Sequence, residues 1–484
     1  MKNHKRLVAL LLASVMVLSL AACEKKGGET ANDTPKPSTE QDTPTPTPTP
    51  EPEKYDFGGV TVKAFGSEWN NLDSEEAKYV EAKAYVEQKY NIKLEKAAME
   101  GYDGYNDDDI LISSIAAGDP AAHIINLNPE SMVSCYVNGL LYDLTDSLDK
   151  LQVGSTYTDV ATWKGRCYGV AYENIGDTWV LVYDRSYLKE IGMEKTPTDM
   201  FMEGKWDYES CKAYLAEMKS KLPDGKYPIG CYPFHWGVMA ASANGTQLVD
   251  VNGNLNFTDE SVVEATQFYQ ELEEAGLAFP SFIKRDEEGK VAEYDMAYAA
   301  DDERIVLKRV ETWQLGGLGF DYGIVYWPWG SNVKCTGDYT TLSDNYATAG
   351  VYWGMDAIVA AAVDATGIPG DVLALIDQDY RYAVADDGFE WMHEAWVAEK
   401  AGNYKNEGPE AGEPRSFTTE QDIELFDWGH TRYKADYAWS FDSAGFVNIW
   451  RVFQDIFMEY KDVRSTLESA KNEALANLKE AGIQ

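Results

Sequence analysis

Large aromatic side chains stand next to polar ones at several places in this sequence. The 484 residues include 14 Trp and 31 Tyr, more than a core of ordinary composition needs. A flat aromatic face can pack against the C–H groups of a sugar ring while a neighbouring carboxylate, amide or imidazole binds the hydroxyl groups. Core packing is the alternative for each ring, because aromatic side chains also bury a large area. The adjacent pairs are Glu68 with Trp69, Asp177 with Trp179, and His235 with Trp236.

Metal-binding patterns are weak in this chain. The five histidines form no HxxxH or HExxH pair and the cysteines form no CxxC, so zinc is not expected. Residues 250–256 have an oxygen ligand at every second position, as a calcium loop has, but lack the bidentate Glu at the twelfth. A hairpin turn is the alternative for this stretch, and no cofactor is predicted.

The 81 Asp and Glu residues leave an enzyme open as an alternative, because a pair of carboxylates is the machinery of a glycoside hydrolase. No acidic residue lies in a motif typical of hydrolases. A solvated acidic surface is the simpler explanation of the composition, so we do not expect catalysis.

The elements that position the candidate residues alternate between strand and helix. Strands are predicted at 60–65, 91–94 and 123–127, with amphipathic helices between them. This alternation indicates βαβ units and a parallel sheet, in which ligands lie beyond the carboxyl ends of the strands. Glu68 and Trp69 follow the first such end, and Asn126 and Asn128 lie at the third.

Several longer stretches follow one another in an order typical of one family. "AAGDP" precedes a buried strand, and "NGLLYDLTD" comes after it; "GRCYGVAYENIGDTWVLVYDRSYLKEIGMEKTPTDM", "VDVNGNLNFTDESVVEATQFYQELEEAGL" and "DYGIVYWPWG" come later. Over most of residues 58–484 this order resembles the extracellular solute-binding proteins of ABC importers, family 1. The resemblance implies an α/β, two-lobed fold like that of periplasmic binding proteins, with mainly parallel sheets flanked by helices and joined by hinge crossovers.

The same resemblance implies a function and partners. A carbohydrate, by preference an oligosaccharide, would bind between the lobes and pass to a membrane permease driven by a separate ATPase. The chain has no Walker sequence GxxxxGK[ST], which agrees with ATP hydrolysis by partner subunits. We expect a monomer. Another small solute such as a peptide, or a role as a sensor or adhesin, stays open.

The resemblance also assigns ligand contacts. It places Asp177 and Trp179 at the first crossover into lobe two, and His235 and Trp236 where the family sets an aromatic ring against the ligand. The predicted ligand-binding residues are Glu68, Trp69, Asn126, Asn128, Asp177, Trp179, His235, Trp236, Tyr298, Trp353 and Trp439.

The domain organisation follows from length. About 430 residues remain after the N-terminal region, more than one ordinary core holds, so two lobes are expected. The predicted segments are a signal peptide at 1–22, a lipidated cysteine with a tether at 23–54, lobe one at 55–175 plus 330–390, and lobe two at 176–329 plus 391–484.

The first 23 residues are typical of a secreted protein. Positive residues precede an apolar run from Leu7 to Leu20, shorter than the roughly 20 residues of a membrane-spanning helix. The ending resembles a bacterial lipobox, which implies that Cys23 is lipidated; a plain signal peptide is the alternative. Alternating Thr and Pro at 43–50 favours an extended spacer. We therefore expect a lipid anchor on the extracellular face of the membrane of a Gram-positive-type bacterium.

The formal net charge of −39 excludes two classes of partner. A surface this acidic repels phosphate backbones and anionic lipid. We therefore expect no nucleic acid, and no membrane contact except through the lipid.

Overall fold

The computed structural model describes residues 55–103, 106–151, 158, 160–172, 177–297, 302–348, 350–351, 354–385 and 419–483. By its internal contacts the chain divides into Met1–Glu53 and Lys54–Gln484, and every described residue belongs to the second unit. The predicted signal peptide, lipidation site and tether lie outside the described residues.

The described elements alternate as the sequence predicts in the first part of the chain. The strands are β1 (Val60–Phe65), β2 (Ile92–Lys96), β3 (Ile124–Leu127), β4 (Thr162–Trp163), β5 (Arg166–Cys167), β6 (Gly169–Val170), β7 (Asp177–Asp184), β8 (Tyr227–Gly230), β9 (Phe282–Arg285), β10 (Val291–Asp295), β11 (Ile305–Glu311), β12 (Tyr322–Val325), β13 (Gly350–Val351) and β14 (Met355–Ile358). The helices are α1 (Ala77–Tyr90), α2 (Asp107–Ala116), α3 (Met132–Val137), α4 (Arg185–Glu190), α5 (Pro197–Met202), α6 (Tyr208–Lys221), α7 (Pro233–Ala243), α8 (Glu260–Glu274), α9 (Ala360–Thr366), α10 (Gly370–Val384), α11 (Glu420–His430), α12 (Ala438–Ser443), α13 (Ile449–Phe457) and α14 (Val463–Glu480).

Lobe one is built on a five-stranded sheet in the order β2-β1-β3-β14-β6. The three predicted strands are confirmed, and they pair in parallel, with Ala64 opposite Ile124. The strand β14 returns from much later in the chain and pairs antiparallel to β3 and β6. The carboxyl end of β3 and the start of β14 therefore share one edge of the sheet.

Lobe two is built on a sheet in the order β12-β7-β11-β8, with β13 also paired to β7. Only β8 and β11 are parallel; β7 is antiparallel to β11, β12 and β13. The α/β two-lobed fold is confirmed, but its sheets are mixed rather than mainly parallel. The strand β7 begins at the edge where β11 ends, with Trp179 opposite Glu311, so the two strands run in opposite directions.

The helix α7 carries two of the predicted site residues and is buried along its whole length. It begins just after β8 with Pro233 at its first position, where a missing backbone N–H costs nothing. The sequence PFHWGVMAASA is apolar on every face, as expected of a helix covered on all sides. A Cβ on Gly237 would lie 2.2 Å from the Phe453 ring, so only glycine allows α13 to pack this closely.

Elements near the C-terminus contact both lobes. In α12, the Ser440 hydroxyl accepts a hydrogen bond of 2.8 Å from the Val133 amide of lobe one. The helix α13 packs on α7 of lobe two. The segment after β12 also touches lobe two, because the Ser331 amide donates to Glu264 at 3.1 Å. The predicted lobe limits stay a prediction.

Candidate ligand-binding site

The edges of the two sheets adjoin because two connections, from β6 to β7 and from β13 to β14, lead from one sheet to the other. Tyr172 is the last described residue after β6, and β7 begins at Asp177, so these two residues are at most about 18 Å apart. The second crossing, from β13 to β14, joins Val351 to Met355. Both crossings leave and enter at the edges that hold the predicted site residues. A ligand bound there would contact both lobes.

On the lobe-two edge, Trp179 and a charged pair form one face of the sheet. Glu311 lies directly opposite Trp179 in the pairing of β11 with β7. The Arg309 guanidinium carbon lies 4.8 Å from the centre of the Trp179 ring, and its Nη2 donates to Glu311 Oε1 at 2.9 Å. A cation over an indole face is an attractive contact. The pair holds the ring in place and keeps this face neutral overall.

His235 completes this group from α7. Its ring meets the Trp179 ring edge-on, with the centres 4.0 Å apart, and its Nε2 lies 3.2 Å from Nη2 of Arg309. A guanidinium can only donate, so Nε2 must accept and the proton of the neutral imidazole must lie on Nδ1. Burial, together with the Arg309 charge, lowers the pKa of His235 well below its ordinary value. The imidazole is therefore neutral in the folded protein.

Three buried nitrogen atoms at this edge have no hydrogen-bond partner among the described residues; other unpartnered polar atoms, including Tyr208 Oη and Gln247 Nε2, lie elsewhere. Among the described residues, neither Nε1 of Trp179 nor Nδ1 of His235 has a partner, although these side chains are only 2% and 7% exposed. Trp327, just past the end of β12, also has an unpartnered Nε1 within the described part of the chain. An unpaired buried donor costs about 1–3 kcal/mol. Such groups need an explanation, and a bound ligand that accepts from them is one.

On the lobe-one edge, the polar side chains around Asp356 form a closed network instead. Asn126 at the end of β3 donates to Asp356 of β14 at 2.8 Å. The same carboxylate accepts from Arg381 Nε and Nη2 at 2.5 and 2.8 Å, and Arg381 Nη1 reaches the Ser67 hydroxyl at 2.9 Å. Asn126 is partly exposed, whereas Asp356 and Arg381 are buried. The Asn126 side chain is therefore partly exposed at the edge of the sheet, and its bond to Asp356 fixes its orientation.

Asp377 and Trp69 extend this network into the core. Burial, then the neighbouring Asp356 charge, raises the pKa of Asp377 well above its ordinary value. Its Oδ1 accepts from Nε1 of Trp69 at 2.9 Å, and the Trp69 ring stacks on Tyr380 with centres 4.0 Å apart. Trp69 is fully buried. It supports the network from inside, which differs from the ligand contact that its place after β1 predicted.

Trp236 also lies in the core. It is fully buried, its Nε1 donates to the Ala265 carbonyl at 3.2 Å, and its ring packs on Tyr269 with centres 4.4 Å apart. The polar atom is satisfied and the ring faces α8. The expectation of a partly wet ring at the ligand is corrected here: of the adjacent pair, only His235 belongs to the edge.

Three other predicted residues lie near the lobe-one edge. Glu68 is partly exposed and accepts a 2.6 Å bond from Tyr79. The Asn128 side chain is used by the backbone, because it accepts from the Glu130 amide at 3.0 Å. Trp439 of α12 donates its indole N–H to Glu130. Ligand contact by these residues stays a prediction.

Trp439 joins the two edges through aromatic contacts. Its ring lies edge-on to Phe234 of α7, with centres 5.1 Å apart, and Phe234 in turn meets His235 at 5.7 Å. Glu130, to which Trp439 donates, follows β3 of lobe one. The aromatic group therefore continues from lobe two to lobe one.

The remaining predicted residues are not placed. Tyr298, Trp353 and Cys23 lie outside the described residues. Only the backbone of Asp177 is described, at the start of β7 and paired with Val351. These assignments stay predictions.

Sequence reasoning missed Arg309, Glu311, Trp327, Asp356 and Arg381. A weak signal was present, since an Arg and a Glu two apart at the end of an apolar strand share one face and must pair when buried. Trp327 stands inside the stretch "DYGIVYWPWG" that carried the family resemblance. The partners of Asp356 and Arg381 come from distant parts of the chain, so no local pattern marks them.

The described residues have neither a metal-binding cluster nor a helix that could span a membrane. They contain no group of three or more His, Cys, Asp or Glu that could hold a metal ion. Asp250 is used within its turn, accepting from the Asn252 and Asn254 amides at 2.8 and 3.0 Å. None of the described helices is both long and apolar enough to cross a bilayer.

A separate groove of about 700 Å³ lies at the other end of the lobe-two sheet. Its lining includes Asp184 at the far end of β7, Ile305 at the start of β11, and Lys308 on the opposite face from Arg309. None of the predicted site residues whose side chains the structure describes is among its lining residues.

Comparison with known proteins identifies the family. The family model described as "Bacterial extracellular solute-binding protein" matches residues 81–366, more than half of the chain. No curated protein is significantly similar in sequence.

Solved structures share the fold at low sequence identity. The sugar-binding protein MalE from Xanthomonas citri is similar with a TM-score of 0.56 and 15% identity, over 88% of this chain and 99% of that one. A family 1 extracellular solute-binding protein from Bifidobacterium longum subsp. infantis gives 0.54 and 14%, over 87% and 99%. The galacto-N-biose-/lacto-N-biose I-binding protein of an ABC transporter from Bifidobacterium longum, in complex with lacto-N-biose, gives 0.52 and 15%, over 88% and 98%. At these identities the likeness shows the fold.

Proposed function

Given that the chain belongs to the bacterial extracellular solute-binding protein family, we propose that it binds an oligosaccharide between its lobes and delivers it to an ABC importer. Proteins of this family act outside the cytoplasm, and so does this one. Several proteins of the same fold are named for the sugars that they bind. The observation that carries the proposal is the buried aromatic group of Trp179 and His235, with unpartnered N–H donors where the chain crosses between lobes.

The proposed mechanism is closure of the two lobes on the ligand. Lobe one offers the fixed amide of Asn126, and lobe two offers Trp179 and His235 with Arg309 behind them. A sugar that touches both edges adds contacts only in the closed form, so binding shifts the population towards closure. The closed protein with its ligand would then dock on the permease, which a separate ATPase drives.

The binding proposal is tested on the secreted part of the chain, residues 24–484, with a glycan array. We expect at least one oligosaccharide to bind and to raise the melting temperature. Binding increases the free energy of unfolding by RT ln(1 + [L]/Kd). Peptides serve as the matched control ligands, since they are the alternative solute. Stabilisation by peptides and by no sugar would contradict the proposal.

The same sugar distinguishes binding from hydrolysis. A binding protein leaves its ligand intact, so we expect the bound oligosaccharide to be recovered at its original length after prolonged incubation. Steady appearance of shorter products, above a heat-denatured control, would favour the glycoside hydrolase instead.

We also propose that a lipid on Cys23 holds the protein to the outer face of the cell membrane. Replacing Cys23 by Ser should release the protein to the medium, because serine cannot carry the lipid that anchors the protein to the membrane. Cells expressing both forms are fractionated, and Ser19→Ala serves as a control in the same apolar segment. Equal membrane retention of the Cys23→Ser protein would refute the anchor.

A further inference from the structure

The unsatisfied groups of the lobe-two edge share one chemical property: all of them donate. An indole N–H has no acceptor function, so Trp179 and Trp327 can only donate. His235 offers its Nδ1–H, because its Nε2 already accepts from Arg309. Within the described residues this edge therefore presents three buried donors without acceptors.

A ligand atom that pairs with these N–H donors must accept hydrogen bonds and should carry no hydrogen of its own. A hydroxyl can accept, but its own proton then needs a second acceptor in the same buried place. A carbonyl oxygen has two lone pairs and no proton, so it suits two neighbouring N–H groups. The rings of Trp179 and His235 are in direct contact, with centres 4.0 Å apart, so their donors belong to one small region.

Charge decides between a neutral carbonyl and a carboxylate. The guanidinium of Arg309 is already neutralised by Glu311 at 2.9 Å, which leaves no free cation in this group for an anion. The protein as a whole carries a formal charge of −39, which repels anionic ligands. An uncharged acceptor fits better on both counts.

The surroundings of His235 are apolar on the side of α7. The rings of Tyr232 and Phe234 have their centres 5.0 and 5.7 Å from the imidazole. A methyl group attached to the carbonyl would find aromatic surface there, whereas a second polar group would be desolvated without a partner.

We propose that the lobe-two edge recognises the acetamido group of an N-acetylhexosamine, so that the ligand is an oligosaccharide containing such a residue. Trp179 and His235 donate to the acetamido carbonyl, and the acetyl methyl packs against the neighbouring rings. This inference rests on the proposed function, because it names the class of sugar for the same site.

The test uses pairs of glycans that differ only in an acetamido or a hydroxyl group at C2. N,N′-Diacetylchitobiose with cellobiose, which differ at C2 of both rings, and lacto-N-biose with β-1,3-galactosyl-glucose, which differ at C2 of one, are two such pairs of different linkage. For the linkages that bind, we expect calorimetry to give about ten- to a hundredfold tighter binding of the acetylated member, the range for leaving buried donors unpaired. A matched glucuronate-containing disaccharide tests the carboxylate.

Two variants assign the recognition to named donors. Trp179→Phe keeps an aromatic ring and removes the N–H, so the ratio of the affinities for the acetylated and unacetylated sugars should fall at least severalfold. Trp236→Phe is the matched control, because its N–H is bonded to Ala265 inside the core and its removal should leave the preference unchanged. Melting temperatures confirm that both variants are folded.

The outcomes separate this inference from the proposed function. If both members of every binding pair bind equally, or the glucuronate binds best, the acetamido proposal is wrong and sugar binding stands. If Trp179→Phe keeps the full preference, the donor is not Trp179 and the inference is overturned. If no member of any pair and no other glycan binds, the proposed function fails as well.

Discussion

Both lobes bury polar side chains at the edge of their sheets, but they treat them differently. In lobe one, Asn126, Arg381 and Trp69 all donate to one of two carboxyl groups, those of Asp356 and Asp377. In lobe two, the indole of Trp179 and the imidazole of His235 are left with unpartnered nitrogen atoms among the described residues. A closed network holds a shape, whereas an open one has groups left for a ligand.

The energetic consequences differ in the same way. Removing one partner of a closed, buried network leaves a charge or donor without compensation and costs several kcal/mol. Removing a donor that has no partner loses no hydrogen bond in the free protein. We therefore expect lobe-one changes to affect stability and lobe-two changes to affect binding.

The largest effect is expected from Arg381→Met, which leaves Asp356 buried without its cation. The unfolding free energy should fall by about 3–5 kcal/mol, measured by urea denaturation. Lys290→Met is the control, since its pair with Glu288 is exposed and should contribute less than about 1 kcal/mol. A loss at Arg381 no larger than at Lys290 would mean that the network is not structural.

Trp236→Ala should be nearly as destabilising, at about 3–5 kcal/mol, because it empties a well-packed site between α7 and α8. The affinity of the protein that remains folded should change little, as titration calorimetry can measure. A loss of affinity of 30-fold or more with unchanged melting temperature would return Trp236 to the ligand site.

A smaller effect is expected in acid. Burial lowers the pKa of His235, so below an ordinary value of about 6.5 the unfolded chain takes up a proton that the folded protein does not. This contribution to stability is present above that pH and is lost as the pH falls. Relative to His235→Phe, the native protein should lose up to about 1.4 kcal/mol per pH unit between pH 6 and 5. Parallel stability curves for the two proteins would contradict a neutral, buried His235.

Much of lobe one was predictable because its signals are local. The sequence predicted strands at 60–65, 91–94 and 123–127 from local patterns, and their parallel pairing from the alternation of strand with helix. The structure has them at Val60–Phe65, Ile92–Lys96 and Ile124–Leu127. The order of longer stretches also indicated the family correctly. The direction of β7 was not predictable, since it depends on its pairing with β11, which lies far along the chain.

The sequence by itself determined that His235 and Trp236 are adjacent aromatic residues, and the family resemblance predicted that both contact the ligand. Only the tertiary structure decided that they do different things. Successive residues on a helix point about 100° apart, so one of the two meets the Trp179 edge while the other meets α8. Which residue faces which side depends on the rotation of α7 about its axis. Contacts with Trp179, Ala265 and Phe453, all distant in sequence, set that rotation.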